Sequence, residues 1–227
     1  MKATSFAAAA ALALTLPTAT FAATFYGPTT YTTQADAPYH AADFSDYFHL
    51  EDVEDNLVNT PGLNLSSHCI SGFSCFVGAN ITDSVGNGGD GSLGKSVWSN
   101  GATEVTFDAS ILGGLPSFAG LVWTDGNNSI AFEAFDHLGV SLGILNGNHA
   151  DGTFAATLGD DRFYGVYAAG GISKLRISNP PGTEIDHIQY GGTLAQGGVP
   201  EPSTWALLIL GFALAGAGLR RRLPQTA

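Results

Sequence analysis

Carboxylates carry most of the chemistry this chain can offer. Nineteen of its twenty acidic residues lie between positions 24 and 199, where only Lys95, Arg162, Lys174 and Arg176 oppose them. Glu51, Asp52, Asp83, Asp90 and Asp186 can supply oxygens to a Ca2+ ion, which takes roughly six to eight of them. Glu133 with Asp136, and Glu184 with Asp186, are acid pairs of the kind a glycosidase needs as acid and base or nucleophile. So many acids generate such pairs by composition alone, so they do not predict an enzyme. The other catalytic signatures are missing. The six histidines show no H-E-x-x-H spacing, Ser71-Gly72-Phe73-Ser74 is not a nucleophile elbow, and there is no phosphate loop or dinucleotide fingerprint. Gly88-Gly89-Asp90-Gly91 resembles one unit of a calcium-binding β-roll, but one copy is not a repeat.

Two further sets of side chains can bind without catalysing. Trp98, Trp123, Tyr164, Tyr167 and Tyr190 can stack on pyranose rings, although aromatic residues in strands belong more often to a core. Cys69 and Cys75 stand six apart in HCISGFSC. They close a small disulfide loop in an oxidising compartment and remain a free pair in a reducing one. With His68 as their single neighbour they fall short of a four-ligand metal site.

The elements that must position these residues read as strands. Thirty glycines, sparse charge and 11% aromatic residues suit short strands joined by tight turns. The opening TFYGPTTYTTQADAPY, rich in threonine and proline, suits an edge strand or a loose arm. The acidic stretch 40–58 suits a short helix or an extended first strand. In TEVTFDA, Val105 and Phe107 share one face, and in 174–178 Leu175 and Ile177 do the same. Further strands are expected over 118–123, 129–136, 139–145, 163–168 and 183–190, and Phe154, Ala156 and Leu158 share a face. Asp125-Gly126-Asn127 reads as a tight turn. Turns roughly every 8–12 residues predict an all-β sandwich. The excess of acid leaves this region at −15, which repels phosphate backbones and excludes nucleic acid as a partner.

The two ends differ from the middle. Residues 1–22 predict a signal peptide: Lys2 begins it, residues 6–16 are apolar, and Thr20-Phe21-Ala22 offers a cleavage site after Ala22. Export through the Sec translocon favours the Cys69–Cys75 bond. The β domain then occupies 23–195, and 196–227 is a short linker and tail. The tail predicts a single transmembrane helix over about 204–219, with Trp205 at one interface and Arg220, Arg221 and Arg222 on the cytoplasmic side.

Pro200-Glu201-Pro202, an apolar helix and an arginine cluster at the C-terminus resemble the PEP-CTERM protein-sorting signal. The resemblance covers about the last 29 residues. It implies recognition by an exosortase near the Pro-Glu-Pro motif. It also implies transient residence in the inner membrane of a Gram-negative bacterium, then transfer to the cell surface or an exopolysaccharide matrix. The central run FDASILGGLPSFAGLVWTDG to EIDHIQYGG is similar to jelly-roll domains of such exported proteins. That implies a jelly-roll-like β-sandwich, a fold that often holds one structural Ca2+. The expected mature protein is a structural or glycan-binding surface component and not an enzyme. A secreted polysaccharide hydrolase and a permanently anchored envelope protein are the alternatives.

Overall fold

The computed structural model describes residues 22–66, 68–76, 85, 94–127, 129–152, 159–180, 182–195 and 212. The expected signal peptide, the strand around Phe154 and the sorting tail therefore lie outside the described residues, apart from Ala22 and Phe212. Among the described residues no helix is long and apolar enough to cross a membrane.

Twelve strands build two antiparallel sheets packed as a β-sandwich. Strands β1 (Thr24–Thr30), β2 (Phe48–Glu51), β4 (Cys69–Ser71), β5 (Ser96–Ser99), β7 (Phe118–Gly126), β10 (Arg162–Tyr167) and β12 (Thr183–Gly191) form one sheet. Its order is β1-β10-β7-β12-β5-β4, with β2 also paired to β12. Strands β3 (Leu63–Leu65), β6 (Ala102–Phe107), β8 (Ile130–Phe135), β9 (Ser141–Gly147) and β11 (Lys174–Ser178) form the other, in the order β3-β6-β11-β8-β9. A short helix, α1 (Ala109–Leu112), is capped by Asp108, whose side chain accepts from the Ser110 amide.

The five-stranded sheet follows the sequence pattern. Burial alternates along β6 and β8, so Val105, Phe107, Ile130, Phe132 and Ala134 face inward, joined by Leu175 and Ile177 of β11. They meet Leu121, Trp123, Tyr164, Val166, Ile185, Ile188 and Tyr190 of the larger sheet to make the main core. The seven-stranded sheet is different, because every residue of β7 is buried. Its second face carries another cluster, in which Phe118, Val122 and Phe163 lie under Tyr31, Ala37 and Phe44. The covering segment carries 3-10 turns at Gln34–Asp36 and Ala41–Asp43, and the stretch 40–58, expected as a short helix or an extended strand, holds the second turn and then strand β2. Asp36 fixes the first turn by accepting from the Thr32 and Thr33 amides.

Of two local expectations, the edge strand holds and the turn changes. The edge strand β1 tolerates Pro28 because its register shifts between Tyr26 and Thr29, where no ladder bond is required of a proline. Asp125-Gly126 is the end of β7 and not a turn. Thr183 and Glu184 of β12 pair with Gly126 and Asp125, so the neighbouring strand draws the chain into extended form. Gly126 has φ +154° and Asn179 Oδ1 packed where a Cβ would stand, which leaves room for glycine alone.

Candidate functional site

The expected carboxylates are placed in three different ways. Glu51 closes β2 and is buried. Its side chain accepts from the amides of Val53 (3.0 Å), Asn59 (2.9 Å) and Thr60 (3.0 Å) and from the Thr60 hydroxyl (2.8 Å). It holds the 51–60 loop together, with Oε2 taking three of the four bonds and Oε1 one. Asp186 is buried in β12 and accepts from the Val85 amide (2.9 Å) and the His187 amide (2.6 Å). Burial pushes its carboxyl well above the ordinary range against those two bonds, and the charges of Glu54 and Asp52 add to the rise. Asp52 accepts from the Glu54 amide (3.2 Å). Asp83 and Asp90 lie outside the described residues. Among the described residues no three His, Cys, Asp or Glu side chains stand where they can hold a metal ion. Ca2+ cages need more oxygens than Asp52 and Asp186 provide, so the described part of the expected set does not fit one.

The acid pairs do not form a catalytic cleft. Asp136 caps a hairpin turn by accepting from Leu138 and Val140 (2.8 and 2.9 Å). Glu133 stands on β8 opposite Arg176 of β11 and Ile144 of β9. Glu184 accepts from the Ser96 hydroxyl, while Asp186 is committed to backbone amides.

Three of the five aromatic candidates belong to the core, the more frequent of the two settings expected for them. Trp123, Tyr164 and Tyr190 are fully buried. The Tyr190 hydroxyl donates to the Pro61 carbonyl (2.6 Å), and the Tyr164 hydroxyl bonds His149 Nε2 (2.6 Å). Tyr167 is half-buried along an open cleft of about 420 Å3 with Leu115, Ser117 and Leu194. Trp98 sits on a second, smaller groove. That groove holds about 210 Å3 and is lined by His68, Cys69, Trp98, Ser99 and Asn100. Trp98 stands on β5 between Cys69 of β4 and Glu184 of β12. Its indole lies on Gly182, where a Cβ would come within 3.1 Å of Cζ2, and Phe76 meets it at right angles with ring centres 5.3 Å apart. Cys69 and Cys75 are joined by a disulfide, as export favours. The closed loop is further held by the Phe73, Ser74 and Cys75 amides, which all donate to the Ile70 carbonyl.

One group of residues went unread in the sequence. Asp125, Asp160, Asp161 and Glu184 gather where β7, β10 and β12 meet, and all four are buried. Asp125 reads as a turn residue in the sequence, and Asp160 and Asp161 draw no reading there. Nothing in the local pattern marks any of them as interior.

Comparison with known proteins bears on the tail. A family model described as the PEP-CTERM protein-sorting motif matches residues 198–222. That span contains Pro200, Glu201, Pro202, Trp205 and the Arg220–222 cluster. The motif marks an exported, surface-directed protein that is processed by an exosortase. No curated protein and no solved structure is significantly similar to the chain.

Proposed function

We propose that the mature β domain is a non-catalytic component of the cell surface or extracellular matrix, and that it binds a neutral glycan through the Trp98 groove. The chain is exported by the Sec translocon and held briefly in the inner membrane by its tail. The exosortase then releases it towards an exopolysaccharide. The sorting motif at 198–222 is the observation that carries the destination. The groove supports the ligand class. It offers one aromatic ring, fixed in place from below and from the side, beside the hydrogen-bonding side chains of His68, Ser99 and Asn100. A pyranose presents the matching surface, with an apolar face for the ring and hydroxyls for the rim. No carboxylate, lysine or arginine lines the groove, which favours an uncharged sugar.

The destination is tested by intact mass and fractionation in the native host, with and without Arg220–222. A surface or extracellular species lacking both ends is expected. A full-length species retained in the inner membrane would sink the reading and leave a simple anchored domain. The ligand is tested separately, by electrophoresis through gels containing neutral polysaccharides such as xylan and β-glucan. Retardation is expected, and Trp98→Ala should remove it. Equal retardation of the variant would exclude the groove.

A further inference from the structure

We propose that the end of the larger sheet where β7, β10 and β12 meet is a proton-dependent latch, closed while Asp125 and Asp161 are neutral acids and loosened when both ionise. Three observations lead there. Asp161 is 0% exposed, yet neither of its carboxyl oxygens has a hydrogen-bond partner, and Asp125 is 2% exposed with Oδ2 equally bare. Thr124, beside Asp125 and also 0% exposed, has an unpartnered hydroxyl. A buried carboxylate without partners is costly, whereas a neutral carboxyl in the same place is tolerated.

The surroundings add charge of the same sign. Asp125 faces Glu184 from β12, Asp160 from the approach to β10 and Asp151 from the segment after β9. Asp161 faces Asp160, Asp125 and Arg162. His149, also after β9, is pushed down to about 4 by burial and by Arg162, so it is neutral and brings no positive charge. Arg162 is the cation within reach, and its Nη1 donates to the Gly159 and Asp161 carbonyls (3.2 and 2.7 Å). It forms no ion pair among the described residues. No three of the acids stand at metal-ligand spacing. Protons are the remaining means of neutralising the pair. In line with this geometry, burial pushes the Asp125 carboxyl up to about 7 and the Asp161 carboxyl up to about 8, with the neighbouring carboxylates adding to both.

The sign follows from linkage. The folded chain holds protons that the unfolded chain has released above about pH 4, so stability is greatest in mild acid and falls as pH rises through about 7 and 8. The test is thermal unfolding of the full chain between about pH 6 and about pH 9, at low and high salt, for the wild type and Asp125→Asn/Asp161→Asn. The wild-type Tm should fall by several degrees. The double variant should lose most of that slope and melt above the wild type at the alkaline end. The difference should persist in high salt, which screens surface charge but not a buried pair. A variant with the wild-type slope overturns the proposal. So does added Ca2+ that raises the alkaline Tm of the wild type alone, because the pair would then be ionised and holding a cation. Infrared spectra guard against a variant that fails to fold: the wild type must show a buried protonated carboxyl band in mild acid that disappears in base. Its absence in mild acid overturns the latch.

Discussion

The two sheets of the sandwich use the same residue types under different rules. The five-stranded sheet buries one face and leaves the other partly wet, so burial alternates along β6 and β8, with Thr103 as a polar residue on the inner face. The seven-stranded sheet buries both faces, one in the main core and one under the segment that follows β1. A polar residue on the first sheet stands in water by default. On the second it must find a partner, carry a proton or leave an unsatisfied atom. Among the described residues, Trp123, Thr124, Asp125, Asp161 and Gln189 carry unpartnered polar atoms in or beside strands of the larger sheet, against Thr103 in the smaller one.

The comparison breaks first at Phe163. If the second face is a true core, Phe163→Ala should cost about 3–5 kcal/mol, as much as Phe132→Ala between the sheets. Urea unfolding of the two variants decides it, and a near-neutral Phe163→Ala would reduce the covering segment to a loose flap. Glu51→Gln should cost about 2–3 kcal/mol, because an amide cannot accept from all the donors that now converge on the carboxylate. Proteolysis within 51–60 should accelerate in that variant. Replacing Cys69 and Cys75 by serine should cost about 2 kcal/mol, a value suited to a small closed loop, and should weaken retardation by polysaccharide as Phe76 loses its place against Trp98. Unchanged retardation would show that the groove needs no clamp. The smallest effect belongs to the wet face. Glu104→Gln removes pairs to Lys174 (2.9 Å) and Arg176 (3.9 Å) that are part-exposed, and should cost less than about 1 kcal/mol.

The same contrast governs what could be read from the residues alone. Val105 with Phe107, and Leu175 with Ile177, announced their faces because water on the other side forces a period of two. β7 announced nothing of the kind. With both faces buried it reads as a continuous apolar run, and Asp125-Gly126 at its end imitates a turn. Trp123, Tyr164 and Tyr190 passed for a binding face because a polar tip suits both settings. Tertiary pairing with Pro61 and His149 placed two of those tips inside. The covering segment was invisible for another reason: its 3-10 turns carry no hydrophobic period, and long-range contacts hold them. The sorting tail needed no such context, since its three unlike elements follow one another in the chain.

The end of the β domain is stitched to its beginning. Ser45 donates to the Thr193 carbonyl, Thr193 to Asp46 Oδ1, and Ala195 to the Asp43 carbonyl (2.9, 2.8 and 2.7 Å). Four residues separate Ala195 from Pro200, and the five chain steps reach at most about 18 Å when fully extended. That length is a leash. An enzyme that grips Pro200-Glu201-Pro202 at the membrane surface must work with the folded domain pressed against it. The shape of the sandwich near Asp43, Asp46 and Leu194 therefore becomes part of what the sorting machinery has to accommodate.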